Sequence, residues 1–235
     1  MGVKASLLYW QLREQIEAKR MTMINPGPDA RRLLRRRHYG VLATIAQQFP
    51  EYPYGSFVDY VTDHLGRPVI LISALAEHTQ NINRHALVSL AVHDPGLQSA
   101  GAPRLTLLGE AKLIGPDDAQ HIRSRYLRYF PEAEQYLSLD FAFYRIEPQH
   151  IRYIAGFAEA CWVNAIDFLA LGSRIAEVED ELLQQIQGEH ALLVGVDSDG
   201  CEMRHEGELQ RIEFAEFAAD AAAVRVQCQV LANKQ

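Results

Sequence analysis

The chain has 235 residues, of which 48% are hydrophobic and 23% charged, and a formal net charge of −7. That balance excludes a disordered polymer and disfavours a general polyanion binder. No apolar run reaches the roughly 20 residues that cross a bilayer, and charges interrupt MGVKASLLYWQLREQIEAKR where a signal peptide would be apolar, so the cytoplasm is the expected compartment.

The length allows one sizeable core with an appendage. Cys161, Cys201 and Cys228 are odd in number and widely scattered, which reads as reduced thiols without a chemical role rather than a disulfide or zinc framework.

Leu8, Leu12 and Ile16 recur four apart and predict an amphipathic helix over about Ser6 to Arg20, ended by Asn25-Pro26-Gly27-Pro28. Asp29 is a suitable N-cap for a second helix through Arg37. Arg31, Arg32, Arg35, Arg36 and Arg37 crowd into seven positions of it. The reading preferred for them is a solvated helix face packed through Leu33 and Leu34. A nucleic-acid patch is the weaker alternative, because no aromatic interleaving or binding motif accompanies the arginines.

Strands follow at Gly40–Ala46, Tyr54–Thr62, Pro68–Ser73, Leu87–His93 and Arg104–Ile114, the last bent at Gly109, with turns at Asp63-His64-Leu65-Gly66 and Asp94-Pro95-Gly96. Gly115-Pro116-Asp117-Asp118 starts a helix whose Ala119, Ile122, Tyr126 and Phe130 share a face until Pro131. Phe141–Ile146 and Ile151–Ala155 add two further strands. Meandering strands with helices packed outside favour an antiparallel barrel over a parallel doubly wound sheet. After Asp167–Arg174, a helix from Glu177 to Gly188, the Asp197-Ser198-Asp199-Gly200 turn, a strand at Leu209–Phe214 and an alanine-rich helix make a smaller α+β unit.

Several segments together carry a resemblance. Pro53-Tyr54-Gly55-Ser56, Ser73 with His78-Thr79-Gln80-Asn81, Arg104-Leu105-Thr106-Leu107-Leu108-Gly109, Ser124-Arg125-Tyr126-Leu127 and Gly156-Phe157-Ala158-Glu159-Ala160 are similar, in order and spacing, to the haem-utilisation proteins. These form a branch of the pyridoxamine 5′-phosphate oxidase-like, FMN-binding split-barrel superfamily. The tail, ELLQQIQGEHA followed by VDSDG, resembles a shortened form of the small domain often fused to such barrels. A His-Met-Asn-x-Asp-His stretch of that domain falls over Gln185 to His190, where only its last histidine, His190, is kept.

The resemblance implies a mainly β chain: an amino-terminal helix and linker over residues 1–28, a six-stranded antiparallel split barrel with flanking helices over 29–168, and a small carboxy-terminal α+β domain over 169–235. It implies a homodimer with a small planar redox ligand at the subunit interface; the lack of a long apolar run and the acidic balance argue separately against a membrane or nucleic-acid partner. Flavin-binding members hold the FMN phosphate with a basic residue and a lysine at positions that here are Ser56 and His78. Arg or Lys offers a permanent charge to phosphate, whereas Ser donates one neutral hydrogen bond and His is charged part of the time. Haem-degrading relatives share the Ser and His-Thr pattern.

The implied cofactor set is therefore Ser56, Ser73, His78, Thr79 and Arg104, with FMN as the first ligand and haem as the alternative. His190 or His205 is the candidate haem ligand, no other metal site is expected, and the catalytic residues are left open. On their own chemistry, Ser73 fits an N-cap for the helix containing His78, Arg104 an exposed strand end, and Arg125 and Tyr126 helix packing. The candidate activities are an FMN-dependent oxidoreductase and a haem-degrading oxygenase. A ligand-free interaction module using the arginine-rich helix is the further alternative. No GxGxxG, Walker loop, GxSxG, HExxH or paired CxxC points to other chemistry.

Overall fold

The computed structural model describes residues 26–94, 102–156, 159–185 and 192–232. The helix expected over Ser6 to Arg20 and the histidine His190 lie outside the described residues.

The first described helix, α1 (Pro26–Arg35), begins three residues before the expected N-cap. The Pro-Gly-Pro run is its first turn, where a missing N–H costs nothing, and Asp29 stands inside that turn beside the positive end of the helix dipole. Strands β1 (Tyr39–Ile45), β2 (Pro53–Thr62) and β3 (Pro68–Ser73), the short helix α2 (Glu77–Arg84), and strands β4 (Leu87–His93) and β5 (Arg104–Leu113) follow as anticipated. Helix α3 (Pro116–Tyr129) and a 3₁₀ segment (Pro131–Ser138) lead into β6 (Phe141–Gly156).

The two strands expected over this last region are one 16-residue strand. Pro148 does not break it because the ladder is already irregular there: Gly109 pairs with Pro148 and Leu108 with His150, which leaves Gln149 as an extra residue. Strand β7 (Glu159–Asn164), which the sequence reading did not foresee, pairs with the far half of β6.

The strands run β3-β2-β1-β4-β5-β6-β7, all antiparallel, and β3 also pairs with β6. That pairing closes a six-stranded barrel and leaves β7 as a flap beyond it. Alternation decides the interior: Leu42, Leu90, Leu107, Ile151 and Val163 lie on one cross-strand row and all join the buried core. Their neighbours in sequence form the opposite face.

Helix α3 covers part of that outer face, with Ile122, Tyr126 and Tyr129 packed on Val61, Val69 and Phe143. After a short helix α4 (Ala165–Phe168), the carboxy-terminal unit comprises α5 (Glu179–Gln185), the sheet β8 (Leu192–Asp197), β9 (Gly200–His205) and β10 (Glu208–Glu213), and α6 (Ala221–Ala232). Its core holds Ile175, Leu182, Val196, Phe214 and Val224.

Arg31 and Arg35 of α1 are turned inward rather than onto a solvated face, and the cluster is matched by carboxylates of this chain rather than left as a polyanion patch. Arg31 grips Asp199 with two hydrogen bonds of 2.7 and 2.9 Å, and Arg35 reaches Asp197 at 2.8 Å and Asp199 at 2.5 Å. Arg36 pairs with Glu213 and Arg37 with Asp94. The Asp197–Gly200 turn is accordingly buried, since its carboxylates are the counter-charges of α1. Arg211 adds bonds to Asp197 and Glu202, and Arg125 to Glu179. Burial alone would raise the Asp197 carboxyl, but Arg211 and Arg35 outweigh it and hold it far below the ordinary range.

Candidate functional site

An open groove of about 480 Å³ runs along the outside of the barrel, between the outer faces of β2 and β3, the start of α2, and the end of α3 with its 3₁₀ extension. Strand alternation turns Phe57 and Leu71 outward into it, and Phe130, Tyr136 and Phe141 form the opposite wall. Tyr136 and Phe141 stack with ring centroids 4.9 Å apart and planes 17° from parallel. Phe57 is 81% exposed, an unusual state for so large an apolar side chain inside a strand.

Ser73 and His78 supply polar groups to this groove. Ser73 is not the N-cap of α2: that position is Ala76, which makes no side-chain cap. Its hydroxyl instead donates to Asp140 Oδ2 at 2.6 Å and accepts the Leu75 N–H at 3.1 Å. The bond from Ser73 holds the Asp140 carboxyl below its ordinary range. His78 is different, since its Nε2 is shielded from solvent and has no hydrogen-bond partner. Burial lowers its pKa and favours the neutral imidazole.

The other anticipated residues lie elsewhere. Ser56 stands opposite Leu42, on the row that faces the barrel interior, and its hydroxyl is shielded without a partner. Thr79 is on the buried side of α2, also with an unpartnered hydroxyl. That helix is fastened over the barrel by Asn81, which donates to Thr44 Oγ1 at 2.9 Å and accepts the Gln47 N–H at 2.8 Å, and by Ile82 in the core. Arg104 opens β5 opposite His93 and Ile154 and donates to the Ala102 carbonyl at 3.3 Å, outside the groove. His205 ends β9 at an exposed hairpin, opposite Glu208.

The structure thus brings Ser73 and His78 together in the groove and adds an aromatic wall that the sequence reading did not single out. The signal for that wall was present: Phe57 occupies an outward position of a strand whose alternate residues Val58 and Tyr60 fill the core.

A second outer surface is shaped by register. Phe57, Val41, Ala91, Thr106, Arg152 and Trp162 form one row across β2, β1, β4, β5, β6 and β7. Arg152 lies over the Trp162 ring, 5.4 Å from its centroid. Trp162 is 61% exposed and Val41 39%.

Comparison with known proteins agrees with this architecture. Residues 26–170 match the family model described as CREG, beta-barrel. A chloroplastic non-canonical haem oxygenase of Arabidopsis thaliana is 35% identical over 147 residues, covering 62% of this chain and 45% of that protein, so the chain spans under half of the relative's length. A protein of unknown function from Agrobacterium tumefaciens has the same fold, with a TM-score of 0.71 at 22% identity over 86% of this chain and 93% of that one. A haem-binding protein from Mycobacterium smegmatis has a TM-score of 0.58 at 23% identity, over 89% of this chain and 96% of that one.

Proposed function

Because the chain belongs to the CREG β-barrel family, in the haem-utilisation branch of the split-barrel superfamily, we propose that it binds haem in the aromatic groove outside β2 and β3. The observation that carries this reading is His78. A neutral imidazole with a shielded, unpartnered Nε2 beside an apolar slot is the combination that haem ligation asks for. His78 would hold the iron, and Phe57, Tyr136 and Phe141 would cover the macrocycle.

Haem supplies the redox and oxygen chemistry when bound, while the protein supplies position, access and electrostatics. Similarity to the plant haem oxygenase extends the proposal to haem-degrading oxygenase activity.

FMN is the second reading, favoured by a separate observation. Ser56, His78 and Thr79, all anticipated at the phosphate end of a flavin, each keep a shielded polar atom without a partner. Against it, Ser73 is already engaged by the Asp140 carboxylate, which disfavours a dianionic phosphate beside it.

The homodimer expectation also becomes a proposal. Two copies pair through the outer row that includes Phe57 and Trp162, whose exposed apolar and small residues suit a self-complementary contact.

Titration of the full chain with haemin and, separately, with FMN tests the ligand. A saturable Soret band that shifts or disappears in His78→Ala supports haem in this groove. Saturable flavin binding without a Soret change transfers the site to FMN, and a Soret band indifferent to His78→Ala rejects His78 as the ligand.

A further inference from the structure

The seam between barrel and carboxy-terminal unit holds another group of chemistry-bearing side chains, away from the groove. His64 lies in the turn between β2 and β3, His121 in α3, and Glu179 is the first residue of α5. One potential ligand atom from each lies within 4.8 Å of the others, the one such group of three among the described residues.

His64 and Glu179 are buried, and the Nε2 atoms of both histidines are shielded from solvent without a hydrogen-bond partner. His64 Nε2 stands 3.4 Å from Glu179 Oε2, near enough for attraction yet without hydrogen-bond geometry. The rings of His64 and His121 have centroids 5.5 Å apart and are tilted by 33°.

These groups are held firmly. The backbone carbonyl of His64 accepts Arg35 Nη2 at 2.7 Å. Glu179 Oε1 accepts Arg125 Nη1 and the Val196 N–H, and Oε2 accepts Arg128 Nη2 at 2.6 Å. The arginines fix the carboxylate's orientation while part of Oε2 remains turned to His64. In the cleft beside it Asp63 and Asp118 are paired with Arg67 and Arg145, and Asp117 and Glu177 add two further carboxylates. That cleft, about 420 Å³, reaches His64 and His121 from solvent.

We propose that His64, His121 and Glu179 form a binding site for a divalent transition-metal ion of the zinc class. Two imidazole nitrogens and one carboxylate oxygen suit zinc, with a fourth position open to water from the cleft, and are poorly suited to magnesium, which requires oxygen ligands. The alternative, two histidines merely packed at the seam, leaves the shielded Nε2 of His121 without a hydrogen bond and that of His64 with only the poorly aligned Glu179 carboxylate at 3.4 Å. The ion would join the β2–β3 turn, α3 and α5, and so tie the barrel to the carboxy-terminal unit.

The test uses the full chain stripped with a chelator and titrated with zinc or magnesium against a chromophoric competitor, with thermal melting alongside. One zinc per chain, a raised melting temperature and no response to magnesium are expected. His121→Ala, at a partly exposed helix position, is expected to lower zinc affinity by about tenfold or more and to leave the melting temperature of the stripped protein unchanged. Absence of zinc binding, equal binding of magnesium, or zinc affinity unchanged in both His121→Ala and His64→Ala would overturn the assignment.

Discussion

Arg35 and Asp197, 162 residues apart in the chain, meet at 2.8 Å with both side chains withdrawn from solvent. Arg35 also bonds Asp199 and the His64 carbonyl, so it neutralises two carboxylates and satisfies a buried acceptor. Removing one partner of such a pair leaves uncompensated charge, which costs roughly 3–5 kcal/mol. Arg35→Ala should lower the unfolding free energy measured by urea denaturation by an amount in that range. A loss under about 1 kcal/mol, the size of an exposed pair, would contradict this account of the seam.

Acid should loosen the same seam. Asp197, Asp199, Glu179 and Glu202 are each raised by burial but lowered further by arginines or, for Glu202, by Arg211 with His38, so their folded pKa values lie below the ordinary range. A carboxyl depressed in the folded state contributes stability that is complete above its unfolded pKa, about 4, and is lost as pH falls toward the folded value. Urea midpoints measured from neutrality into acid should therefore fall steeply below roughly pH 4, and Asp197→Asn should flatten that slope.

Gly109 should accept no side chain. A Cβ there would collide with the Glu147 carbonyl across the ladder, at the point where β5 and β6 fall out of regular register. Backbone cannot move aside as a flexible side chain does, so Gly109→Ala should cost about 1–3 kcal/mol by overpacking. Gly207→Ala has open space but a φ of +89°, so its cost should come from backbone conformation alone, near 1 kcal/mol. Chemical denaturation of the two variants separates these causes.

The outer row predicts an assembly state. Phe57→Glu or Trp162→Glu places a charge on an exposed side chain and should leave folding intact. Light scattering should then report half the mass of the native protein. A native chain that already scatters as a monomer would remove the pairing proposal.

Much of the barrel was legible because alternation is a local property. Leu42 and Leu90 declare the core face within their own strands, and Gly109 marks the bend it makes. The seam was not legible, because nothing in RRLLRRR says that its counter-ions are Asp197 and Asp199. Read locally, five arginines are a solvated face; only tertiary pairing turns two of them inward. The extra pairing of β7 was hidden for the same reason, its exposed Trp162 being legible only beside Arg152. Of the anticipated ligand residues, Ser73 and His78 reached the groove because they flank one strand-to-helix turn, whereas Arg104 depended on a register that its own sequence does not encode.

The wiring of α1 also sets an order of events during synthesis. Helix α1 leaves the ribosome early, yet the carboxylates for Arg31 and Arg35 are among the later residues made. At roughly 5–20 residues per second, α1 spends many seconds with two cations whose carboxylate partners have not yet been made, and the seam can lock only after the β8–β9 turn has emerged. A ribosome halted before Asp197 would hold a barrel whose first helix is still searching for its counter-ions.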